Sequence, residues 1–219
     1  MGLSTAGLAF KTKLFAASDE EAMIRSAFGD TFHCIPASEI QNLHDIRVPG
    51  NIAVESKNGA TFVYNGEIAG QVLFDGRLID PSLFSALGSP EIMVVFCHCD
   101  SGGSFGYVIL EKGVQVRSRI YCLGKTSDDG NPTDFEMSWL NAEQFVEEEG
   151  EPPAYRNLVS GKTSTESYVT AYMLGEVMKG LFGACPWDAW NYRTEFNYYL
   201  RKPVDTVKLS PREAWWKFW

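Results

Sequence analysis

No apolar run in this chain approaches the roughly 18 residues that a membrane-crossing helix needs, so no membrane partner is expected. The opening residues, Met1-Gly2-Leu3-Ser4-Thr5, carry neither the basic stretch nor the long apolar core of a secretory leader. Cysteine is sparse and odd in number: Cys34, Cys97, Cys99, Cys122 and Cys185. Such spacing does not make a disulfide framework, and it suits reduced thiols in a cytoplasmic setting. Positive charge is also short. The 19 Lys and Arg face 28 Asp and Glu, for a formal net charge of −9. A field of that sign repels nucleic acid and anionic membranes and attracts a basic partner.

Recognisable catalytic and cofactor signatures are missing too. The stretch Asp100-Ser101-Gly102-Gly103-Ser104-Phe105-Gly106 is rich in glycine and follows a strand-like run. It lacks the spacing of either nucleotide-binding fingerprint, has no lysine behind it and leads into another strand, so it reads as a hairpin loop. Gly161-Lys162-Thr163 has no upstream glycine and no strand before it. The acids at 128–136 do not alternate as calcium ligands do. Cys97-His98-Cys99 suggests zinc by residue type, with Cys122 and Cys34 as further donors. On a strand, however, the two thiols share one face and His98 takes the other, so buried apolar thiols are the plainer reading. His33, adjacent to Cys34, points away from it on extended chain, and no motif joins a cysteine to a histidine base. No cofactor, metal or catalytic residue is assigned.

What is present fits an α+β fold over residues 1–219, a single domain with no linker or repeat. Residues 7–16 read as a first strand, and Ser18-Asp19-Glu20-Glu21 as the start of a helix ended by Gly29. Lys57-Asn58-Gly59 and Asn65-Gly66 read as hairpin turns between Ala60–Tyr64 and a strand at Ile68–Phe74. Asp80-Pro81-Ser82 opens a short helix. Ile92–Cys99, Tyr107–Leu110 and Val114–Leu123 read as three consecutive antiparallel strands. Glu166–Leu181 is the longest helix, with Tyr168, Val169, Tyr172, Met173, Val177 and Leu181 at helical spacing. Tyr192–Leu200 reads as a strand and Ser210-Pro211-Arg212-Glu213 as the cap of a terminal helix. The expectation is a mainly antiparallel sheet of about six or seven strands packed by the long helix.

The most distinctive segment is acidic. Asp128, Asp129, Asp134, Glu136, Glu143, Glu147, Glu148, Glu149 and Glu151 fall within residues 128–151, a stretch without Lys or Arg. Its first half reads as loop, and its second as a short helix burying Trp139, Leu140 and Phe145. A solvated surface is the plain account, and a cation-seeking interface the functional one. The functional expectation is a non-catalytic, immunity-type protein that neutralises a basic toxin or nuclease through these acids, Glu151 excepted. Trp216, adjacent to Trp215, joins them as a contact residue because one helix cannot easily hide both. The alternative is a hydrolase or transferase cleft around His98, Asp100 and Arg117. Arg117 and Arg119 share one strand face, and their plainer partners are the acids of 128–151.

Overall fold

A strand that alternates buries one face, whereas a continuous apolar run such as Ile92–Cys99 must be covered on both. The computed structural model, which describes residues 4–11, 17–35, 51–146, 152–187 and 197–201, answers that demand with helices on either side of a nine-stranded sheet. The strands are β1 (Ser4–Lys11), β2 (Phe32–Ile35), β3 (Ile52–Lys57), β4 (Ala60–Tyr64), β5 (Ile92–Cys99), β6 (Ser104–Glu111), β7 (Val114–Cys122) and β8 (Lys125–Gly130). The C-terminal β12 (Asn197–Arg201) completes the sheet, whose order is β2-β12-β3-β4-β1-β5-β6-β7-β8. Every pairing is antiparallel. The α+β class and the packing of the long helix on the sheet are as expected, with more strands than the pattern suggested.

On one face Leu8, Phe10, Val63, Val95, Cys97 and Leu110 pack under α1 (Ala17–Phe28), α2 (Gly66–Leu73) and α3 (Pro81–Ala86). On the other, Ala9, Phe62, Val94, Phe96, Tyr107 and Ile109 pack under α5 (Glu166–Phe182). Adjacent residues of β1 and β5 thus serve opposite cores. Each fully buried side chain, Phe96 for example, contributes about 1.5–3 kcal/mol by leaving water.

Three expectations fail for local reasons. Ile68–Phe74 is the helix α2, not a strand. Asn65 Oδ1 accepts from the Ile68 N–H at 2.9 Å, so Asn65-Gly66 caps a helix rather than turning a hairpin. Ile68, Ala69, Val72 and Leu73 then fall on the face packed against the first core. The second failure is at the start of the acidic stretch, where Asp128, Asp129 and Gly130 are strand rather than loop: they end β8, which pairs with β7 along its whole length. Its six exposed residues form a polar sheet edge, a composition that discourages pairing with another chain. By contrast, Asn58 (φ 53°) and Gly59 (φ 73°) form the expected β3–β4 turn. The acidic stretch continues into a 3-10 turn at Asp134–Glu136 and one helical turn, α4 (Met137–Leu140). A small antiparallel sheet follows: β9 (Glu143–Phe145), β10 (Ala154–Arg156) and β11 (Thr163–Thr165). The expected helix through Phe145 is therefore one turn and a strand.

α5 ends at Gly183, whose left-handed φ of 68° lets its N–H reach the Lys179 carbonyl at 2.8 Å. Asn58 Nδ2 donates to the Gly183 carbonyl, tying the helix end to the β3–β4 turn. The terminal helix expected from Ser210 lies outside the described residues.

Candidate functional site

Side chains alternate along a strand, so Arg117 and Arg119 of β7 both point from the sheet toward α5. Tyr107, opposite Arg119 on β6, points the same way. There the arginines meet the acids. Arg117 Nε donates to Glu136 Oε1 at 2.8 Å, and its Nη2 lies 2.7 Å from the same oxygen. Arg117 also donates to Asp128 and to the carbonyl of Asp129. Arg119 bonds the second Asp128 oxygen and Thr170 Oγ1, and lies 3.5 Å from Glu166. Tyr107 donates its hydroxyl to Glu136, while the Thr133 N–H and hydroxyl bond the other carboxylate oxygen. The side chains of Arg117 and Glu136 are 1% and 0% exposed.

Burial alone would raise both carboxyls. Hydrogen bonds from Arg117 and Arg119 outweigh it at Asp128, and bonds from Arg117, Tyr107 and Thr133 outweigh it at Glu136, so both titrate below the usual range. Burial and the neighbouring Glu136 push the Tyr107 hydroxyl far up. This cluster fastens the acidic segment to the sheet. Glu136 is thereby removed as a contact residue, since nothing outside the molecule reaches it. Asp128 stays partly exposed, but both its oxygens are engaged by arginine.

The remaining acids are placed differently. Asp129 and Asp134 are exposed, and Glu143 is exposed with Arg156 at 3.5 Å. Large apolar side chains stand among them: Phe135, Met137, Leu140 and Val146 are between 36% and 56% exposed. Met137 and Leu140 lie three apart on α4 and share a face. Trp139 points inward and stacks on Tyr172 at 4.9 Å. Glu147, Glu148, Glu149 and Trp216 lie outside the described residues.

A second region lies where β5 ends beside α5. His98 stacks on Trp187, ring centroids 4.6 Å apart, and meets Phe105 edge-on. Phe105 contacts Tyr168, and Tyr168 contacts Tyr172, so a row of rings runs from Trp187 to Trp139. Above it opens a cleft of about 390 Å³ lined by His98, Asp100, Lys162, Tyr168, Ala171, Tyr172, Gly175, Glu176, Lys179 and Trp187. His98 and Asp100 therefore share a cleft. Arg117 does not line it, being held in the ion cluster, so the trio of the hydrolase or transferase alternative does not assemble.

Cys97 and Cys99 face the opposite core from His98, as alternation requires. Burial pushes the Cys97 thiol well up, which opposes thiolate chemistry. Among the described residues, no three His, Cys, Asp or Glu side chains gather as metal ligands. Sequence reasoning did not single out Gly175, Glu176 or Lys179, and it met Lys162 only in the Gly161-Lys162-Thr163 triplet that it set aside as a phosphate loop. It placed Tyr168 in the core, whereas that ring is 39% exposed. The available signal was Gly175, Glu176 and Lys179, which share one helical stripe with Tyr168 and Tyr172.

No family model, curated protein or solved structure matches the chain.

Proposed function

We propose that this is a binding protein whose segment 129–146 docks on a basic protein, the partner being a toxin or nuclease with a cationic cleft. The supporting observation is the mixture on that segment: exposed Phe135, Met137, Leu140 and Val146 interleaved with exposed Asp129, Asp134 and Glu143. No Lys or Arg occurs between Lys125 and Arg156. Apolar side chains supply contact area that excludes water, and surrounding carboxylates select a cationic surface and steer its approach. Buried Glu136 and Trp139 fix the segment beforehand, so docking orders little further chain. A merely solvated acidic face needs no exposed large hydrophobics.

The test compares the wild-type chain with an Asp129→Lys, Asp134→Lys, Glu143→Lys variant as bait in extract of its own host, washed at low and high salt. A basic protein held by the wild type at low salt, released at high salt and never held by the variant is the expected result. Equal retention by both baits, or retention indifferent to salt, overturns the proposal.

A further inference from the structure

The cleft over the aromatic row has three properties that together define a ligand. The first is its floor. Gly175 sits in the middle of α5, where glycine costs roughly 0.5–1 kcal/mol relative to alanine, yet a Cβ there would meet nothing within 4 Å. Packing therefore does not require glycine at this position. With Ala171 one turn earlier, Gly175 leaves a stretch of helix bare beneath the cleft. Gly180, on the same helix, is the contrast: a Cβ there would come 2.4 Å from the Phe135 ring.

The second property is charge. Asp100 and Glu176 supply two carboxylates, and Lys162 and Lys179 two ammonium groups. The formal sum is zero, which favours neither an anion nor a cation. The lining nonetheless mixes acceptors with donors, and the His98, Tyr168 and Tyr172 side chains add more of both.

The third is the rings. Tyr172 is covered on both faces, by Trp139 and by the Lys162 ammonium 3.6 Å from its centroid. His98 and Trp187 cover one another, and Phe105 is fully buried. Tyr168 is the exposed ring of the row. A sugar needs one open face: its axial C–H groups lie on the negative aromatic face, while its hydroxyls bond the surrounding donors and acceptors.

We infer that the cleft between the exposed stripe of α5, Trp187 and the end of β5 binds a neutral, polyhydroxylated ring ligand, a mono- or disaccharide. Its volume lies near the lower end of small-molecule sites, about 300–1,000 Å³, which suits that size. The inference is independent of the docking proposal, since the cleft and the 129–146 segment share no residue.

Tryptophan fluorescence and amide-shift mapping of the full chain test it, with glucose, galactose, mannose, N-acetylglucosamine, maltose and cellobiose as probes, and adenosine and uridine beside them. At least one saccharide should saturate, with shifts confined to the cleft residues. Gly175→Leu, whose Cβ meets open space and whose longer side chain fills the floor, should abolish binding. Tyr168→Ala should weaken it at least about tenfold, and the amide spectra of both variants should match the wild type away from the cleft. The inference is overturned if no saccharide in the set saturates, if binding survives in both variants, or if a nucleoside takes the cleft and no sugar does.

Discussion

Arg117 sets the stability problem of the second core. Its guanidinium and the Glu136 carboxylate are both out of water, and an ion pair in that position gives little net stability over an apolar pair of the same volume. Removing one partner is another matter, because the survivor is then buried with uncompensated charge. Arg117→Met should lose about 3–5 kcal/mol in urea denaturation, and adding Glu136→Leu should restore much of it. A double variant no more stable than Arg117→Met would show that the pair is not the relevant unit. The same residues set the response to acid. Asp128 and Glu136 titrate below their ordinary range in the folded chain. Their contribution is therefore complete above the unfolded carboxyl value, about 4. It disappears as pH falls through the lower folded value. The urea midpoint should hold between about pH 7 and 5 and fall below about 4, with a shallower acid slope in Glu136→Gln. An unchanged slope in that variant would assign acid sensitivity to other carboxyls.

At the scale of single elements, α5 carries two opposite uses of glycine. Gly175→Ala should stabilise the chain by roughly 0.5–1 kcal/mol, because it removes the backbone-entropy cost and meets open space. Gly180→Ala gains the same helix propensity but forces Phe135 off the helix, and should lower the melting temperature. Thermal denaturation of the pair decides the point, and two shifts of the same sign would contradict it. The helix itself was legible in the sequence, since its apolar spacing and Gly183 are local signals. So were β5, β6 and β7, whose apolar runs and turns lie close together in the chain. Asn65-Gly66 was not, because the same dipeptide suits a hairpin and a helix cap. What decides is that Asn65 Oδ1 finds the Ile68 N–H and that Ala69 and Leu73 reach the first core. β8 was hidden for another reason. This edge strand has no apolar stripe, and only its pairing with β7 identifies Lys125–Gly130 as sheet. The acidic segment was visible by composition, yet composition cannot separate Glu136, turned inward to Arg117, from Asp134, turned to water. Sequence distance likewise hid the cleft, which joins β5, α5 and Trp187 from positions up to 89 residues apart.

For the whole molecule, charge and shape act at different stages of association. The net charge of −9 gives a long-range field, whereas Met137 and Leu140 act only on contact. Long-range attraction raises the encounter rate and is screened by salt. Apolar burial excludes water from the docked complex and slows its dissociation. If segment 129–146 is the docking surface, the two classes of substitution should separate kinetically. Asp129→Lys with Asp134→Lys should slow association with the basic partner by about tenfold at low salt, and the deficit should shrink as salt rises. Met137→Ala with Leu140→Ala should leave association within about twofold and raise dissociation at least tenfold. Surface plasmon resonance with the partner immobilised, at two ionic strengths, separates these rates. The buried cluster supplies the control. Arg117→Lys keeps the charge but loses the planar fork that holds Asp128 and Glu136 together, so it loosens the segment without altering its surface. Loosening should cost affinity in proportion to the order lost, with the salt dependence of association unchanged. An Arg117→Lys protein that binds as tightly as the wild type would mean that the fastening of 128–136 to β7 serves stability alone.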